Sequence, residues 1–148
     1  MAFSQKINRL IKSGVACALL YAALSASATP VPTGCEGATF TESRSVAALP
    51  NEVSIILGRD RVGPEGIADY GQAFNASDVV KTELPMRRLY LAALSDNCIF
   101  VAVERGGRGY SIELLAFEHN ADGWRVGKRT TTLHTPRSMQ ELVNQIAK

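Results

Sequence analysis

Four runs decide the fold: RLYLAAL at 88–94, CIFVAVER at 98–105, YSIELLAFE at 110–118 and WRVGKRTTT at 124–132. Each is rich in β-branched, aromatic or aliphatic residues, which suit a pleated and largely buried surface. The links between them are Ser95-Asp96-Asn97, Gly106-Gly107-Arg108-Gly109 and Asn120-Ala121-Asp122-Gly123. Short Gly/Asn/Asp links of this kind turn the chain back on itself, so the four runs form an antiparallel meander. Ser111, Glu113 and Leu115 alternate with Ile112, Leu114 and Ala116, which predicts a third strand with one solvent-leaning face.

Downstream of the meander, Ser138-Met139-Gln140-Glu141 matches a capping box, where serine oxygen and glutamate carboxylate satisfy free backbone donors at a helix start. Met139, Leu142, Val143 and Ile146 follow at i, i+3, i+4 and i+7, one apolar stripe. That stripe needs a surface to cover, and the meander supplies it. The expected fold is therefore α+β, an antiparallel β-meander of four to five strands with a C-terminal helix packed on one face.

Upstream the pattern is less regular. Thr41 to Leu49 has modest helical character and ends before Pro50. Val53-Ser54-Ile55-Ile56-Leu57, stopped by Gly58, reads as a short strand. Pro64 could open a short helix with Ile67, Tyr70 and Phe74 on one face, although Gly66 and Gly71 weaken it; a long, partly ordered insertion is the other reading. Long connections within small domains often carry function, which marks residues 59–78 as a candidate binding region.

The N-terminus has the build of an export signal. Lys6, Arg9 and Lys12 form a basic segment, Val15 to Leu24 an apolar one, and Ala26-Ser27-Ala28 the small residues a signal peptidase accepts. The apolar run is too short for a bilayer, which takes about 20 residues. This predicts a cleaved signal at 1–28, a single domain at 29–148 and a periplasmic or secreted location. The full chain has 16 basic and 14 acidic residues, and three of the basic ones fall in the signal. The remainder is close to neutral, acidic in its first half and basic in its second, which excludes a strong nucleic-acid footprint. Of three cysteines, Cys17 leaves with the signal, and Cys35 and Cys98 are expected to pair in an oxidising compartment. Closing that loop is worth about 4 kcal/mol in the chain-entropy model.

The familiar chemical motifs are missing. His119 and His134 stand apart with no HExxH and no cysteine or aspartate pattern, so neither a metal nor a cofactor is expected. There is no Gly-x-Ser-x-Gly elbow, and Gly106-Gly107-Arg108-Gly109 lacks the Lys-Ser/Thr of a phosphate loop and reads as a hairpin turn. Asp60, Glu65 and Asp69 could pair as carboxylates but read as a solvated loop. Tyr90, Phe100, Tyr110, Phe117 and Trp124 read as core or half-core sheet residues. Arg105, Arg108, Arg125, Lys128 and Arg129 lie on adjacent hairpins and could gather for an acidic partner, or simply form a solvated face.

These observations favour a small exported envelope protein that binds another protein without catalysis, of the inhibitor or immunity type. Its candidate contacts are Arg59, Asp60, Arg61 and Tyr70 from the irregular segment, with Arg105 and Arg108 from the hairpin. Two alternatives remain in play: a periplasmic small-molecule binder with a pocket between sheet and helix, and a small hydrolase with a scattered site involving a histidine.

Overall fold

In the computed structural model, residues 35–148 are described; the expected signal at 1–28 and its cleavage point lie outside them. The four runs form the four long strands: β3 (Arg87–Leu94), β4 (Cys98–Arg105), β5 (Ser111–Asn120) and β6 (Gly123–Thr132). They pair in sequence order as an antiparallel meander. Two short strands complete the edge of β3: β1 (Thr41–Ser43) antiparallel at one end, β2 (Ile67–Ala68) parallel at the other.

Alternation along the strands divides the core in two. Leu91, Ala93, Phe100, Ala102, Ile112, Leu114 and Ala116 face the C-terminal helix α2 (Met139–Ala147), whose Leu142 and Ile146 are buried against them. Met139 and Val143 flank that contact, so the predicted stripe is the packed one. Ser138 Oγ accepts from the Glu141 N–H, while the Glu141 carboxylate accepts from the Arg137 N–H. The reciprocal cap is thus shifted one residue outward from the usual box. The Cys35–Cys98 disulfide, 63 residues apart in sequence, pins the start of the described chain to the first residue of β4.

The opposite face is covered too. Leu89, Ala92, Ile99, Val101, Val103, Leu115 and Phe117 pack against Val46, Leu49, Val53 and Leu57. Those four residues belong to a layer made by a 3₁₀ turn and a short α-helix, which corrects three expectations. The run 53–57 is not a strand: Asn51–Ile56 is helix α1, started by Pro50 and followed at Gly58 by a φ of 94° that suits glycine. Residues 41–49 are not helical throughout but hold β1 and then a 3₁₀ turn at Val46–Ala48. The strand β5 has no solvent-leaning face over most of its length, because the α1 layer covers Leu115 and the Arg105 and Arg129 side chains close over Glu113.

The segment 64–74 is likewise not a helix. A 3₁₀ turn at Gly63–Glu65 leads into β2, and Asp69 accepts from the Val46 N–H at the start of the other 3₁₀ turn. The parallel pairing of Ile67 and Ala68 with Arg87 and Arg88 outcompetes a helix interrupted by two glycines. Among the described residues, no helix is long and apolar enough to cross a membrane.

Candidate functional site

Three connections converge at the end of the sheet where β3 begins and β4 ends. They are 57–66 after α1, 69–86 between β2 and β3, and the 106–110 hairpin. Main-chain contacts lock them together. Gly106 N–H donates to Met86 O at 2.9 Å, Met86 N–H to Pro64 O at 3.2 Å, and Asn75 N–H to Pro85 O at 2.8 Å. Gly106 lies so close to the Asn75 and Ala76 backbone that a Cβ there has no room, and a Cβ at Gly63 would lie 2.5 Å from Thr82 O.

The Asn75–Pro85 bond closes the neck of a loop, and the Asn75 side chain fills its interior. Asn75 is only 3% exposed. Its Nδ2 donates to Lys81 O at 2.9 Å and Leu84 O at 2.7 Å, and its Oδ1 accepts from Lys81 N at 2.8 Å. One side chain therefore holds the far limb of the loop from inside. What the loop presents outward is apolar: Val79 is 71% and Val80 49% exposed. On the abutting connection Val62 is 90% exposed. Three exposed valines on adjoining loops depart from the scattered single apolar residues of an ordinary surface.

Beside these loops, on the α1 face of the sheet, is a pocket of about 320 Å³ lined by Arg61, Pro64, Glu65, Met86, Arg87, Arg105 and Arg129. The ladder puts Arg87 directly opposite Arg105 on β3 and β4. Glu113, one strand further, is 5% exposed and takes Arg129 Nε at 3.1 Å and Arg105 Nη1 at 3.6 Å. Arg61 reaches Glu65 at 3.5 Å near the rim. Arg87 donates to Glu65 O at 2.6 Å through Nη2, over Gly58, where a Cβ would lie 2.7 Å from that nitrogen. Burial, followed by the facing Arg105, pulls the Arg87 guanidinium below its ordinary pKa.

The α2 face of the same strand ends carries a second polar group. Arg88 is paired with the buried Glu104, which raises the Arg88 pKa, and the arginine lies 4.2 Å over the Phe74 ring. Tyr110 Oη donates to Glu104 at 2.7 Å; burial and then this bond push its pKa up to about 12. Tyr70 packs edge-on against Tyr90 with Arg44 stacked over its ring. This network fastens the loops to the sheet.

Of the six contact residues expected from sequence, the structure brings Arg61 and Arg105 together. Arg59 instead bonds Asn51, Asp60 is exposed in the turn after α1, Tyr70 joins the Tyr90 stack, and Arg108 is exposed at the hairpin tip. The other basic hairpin residues divide: Arg129 enters the pocket, Arg125 pairs with Glu118, and Lys128 donates to Ile146 O at 2.8 Å. Sequence reasoning missed Arg87, Glu113, Asn75 and the valine pair. His119 stacks on Trp124, while His134 lines open grooves of about 510 and 550 Å³ beside α2, and the sheet–α2 interface itself is packed. Among the described residues no group of three or more His, Cys, Asp or Glu side chains comes together as a metal site would require.

No protein-family model, curated protein or solved structure matches this chain.

Proposed function

We propose that this chain is a non-catalytic binding protein of an oxidising, extracytoplasmic compartment, and that it occludes a partner enzyme with the loop end of its sheet. The observation that carries this reading is the Asn75–Pro85 loop, which is fixed internally by a buried amide and displays Val79 and Val80 to solvent. A loop already ordered in the free protein loses less entropy on docking than a mobile one. An apolar tip flanked along the chain by the charged residues Asp78, Lys81 and Glu83 matches the anatomy of a protein interface, with a desolvated centre and a charged border. The disulfide supports an oxidising compartment.

The test expresses the full-length gene with a C-terminal tag in its native cell, crosslinks lightly, and identifies what the exported protein holds. One stoichiometric enzyme is expected, and the pure protein should inhibit it. The Val79→Asp/Val80→Asp variant should keep its melting temperature and lose both capture and inhibition. Capture of no enzyme, or full inhibition by the double variant, would overturn the proposal.

A further inference from the structure

We propose that the pocket formed by Arg61, Arg87, Arg105 and Arg129 binds a carboxylate carried on an aliphatic stem, supplied by an acidic side chain of the partner. The inference rests on the reading of this end as an interface and names the chemistry that the interface recognises.

Register creates the site. Arg87 opposes Arg105, and like charges directly opposite one another in a ladder are destabilising. Arg129 opposes Leu115, and Glu113 opposes Val103, so alternation places all of them on the face that α1 covers. Glu113 accounts for Arg105 and Arg129, and Glu65 for Arg61. Among the described residues, Arg87 has no carboxylate; its bond to Glu65 O supplies a dipole and not a charge. Four guanidiniums and two carboxylates leave an excess of two positive charges in a partly enclosed space. A purely structural role for the cluster would be to neutralise Glu113, yet Arg105 and Arg129 already contact that carboxylate, while Arg87 makes no ion pair with it and feels its charge only at longer range. Sites that break a local rule without return inside the molecule are where function is expected.

The occupant's chemistry follows from the lining. A guanidinium fork matches the two oxygens of a carboxylate in one plane. A phosphate dianion would bring its second charge against Glu65 in the lining and near Glu113, which is bound to the lining arginines Arg105 and Arg129. Pro64 and Met86 are the apolar residues in a mainly polar lining and are placed to meet the methylene groups next to the carboxylate. Gly58 keeps the space behind the Arg87 guanidinium open.

The experiment titrates the disulfide-bonded protein with propionate, glutarate, a capped glutamate-containing peptide and inorganic phosphate, following the arginine Nε–Hε resonances by NMR. Saturable shifts at Arg87 and Arg105 are expected with the carboxylates, with a Kd on the order of millimolar and phosphate at least about tenfold weaker. The peptide binding more tightly than glutarate supports a partner's side chain as the source; glutarate binding more tightly overturns that assignment in favour of a free dicarboxylate. Arg87→Gln should abolish saturation, Arg87→Lys should weaken it because the fork is lost, and Arg61→Gln, at an exposed position outside the sheet, should weaken it severalfold. Linear shifts with every carboxylate, phosphate binding as tight as propionate, or unchanged binding by a folded Arg87→Gln variant would each refute the site. No partner is present in this titration, so its failure is separable from failure of the capture experiment.

Discussion

Replacing Asn75 by alanine removes three hydrogen bonds from inside the 75–85 loop while leaving its neck closed by the Asn75–Pro85 main-chain bond. Each bond is worth about 1 kcal/mol net. If all three hold the loop against opening, the local cost is about 3 kcal/mol, or roughly a hundredfold in an opening equilibrium. Global stability should fall by less, about 1–2 kcal/mol, because the Lys81 backbone lies at an exposed position where water can replace the lost partner. Hydrogen exchange separates the two quantities. The Lys81 amide, which donates to Asn75 Oδ1, should exchange roughly a hundred times faster in Asn75→Ala, while amides in the middle of β4 and β5 change only with global stability. Cleavage within 76–84 by a non-specific protease should accelerate in parallel, and inhibition of the partner should weaken although both valines remain. Asn75→Asp keeps the acceptor for Lys81 N–H but turns a carboxylate toward two carbonyls, so it should be no better than alanine. Exchange at Lys81 within about threefold of the parent protein would show that the amide does not hold the loop, and the rigidity argument for the proposed interface would fall with it.

Two further predictions concern the scaffold. Tyr110 is held neutral by the fold, its pKa raised from 10.0 to about 12 by burial and by its bond to Glu104. Its contribution to stability is therefore complete below the unfolded pKa and is lost as pH rises from about 10 through about 12; ultraviolet difference titration against Tyr110→Phe should show this, and Glu104→Gln should lower the midpoint. An unchanged midpoint would mean that burial alone sets it. Replacing Cys35 and Cys98 by alanine releases a closure spanning 63 residues. The expected loss is about 4 kcal/mol and roughly 15 °C in melting temperature; a drop of only one or two degrees would show that the denatured chain is already constrained.

Composition and spacing made the meander, α2 and the disulfide legible, because each depends on local pattern or on counting. The α1 layer was missed for an identifiable reason. Within 53–57 the β-branched content points to a strand, but Val46, Leu49, Val53 and Leu57 recur at helical intervals across Pro50. The wider period was the better signal, and tertiary burial of those four residues outweighs the local propensity. Glu113 was misjudged for a related cause: alternation shows which face a residue takes, not whether neighbouring side chains, here Arg105 and Arg129, close over it.

The pocket depends on something the sequence does not display. Between Leu89 and Leu91 the β3–β4 register shifts, with Leu91 opposite Ala102 but Leu89 opposite Val103, so Tyr90 is the extra residue. Were the hairpin regular, Arg88 would stand opposite Arg105, and Arg87 would fall opposite Gly106. A one-residue shift also exchanges faces. As built, Arg88 meets Glu104 on the α2 side and Arg87 meets Arg105 on the α1 side. One bulge therefore separates two adjacent arginines into different roles, the first as a fastening for the loops and the second as the guanidinium left without a carboxylate. Removing the bulge would place the wrong arginine at the pocket. The basic residues that suggested an acidic partner, Arg105, Arg108, Arg125, Lys128 and Arg129, all lie beyond β3, so nothing in the sequence indicated that Arg87 would join two of them.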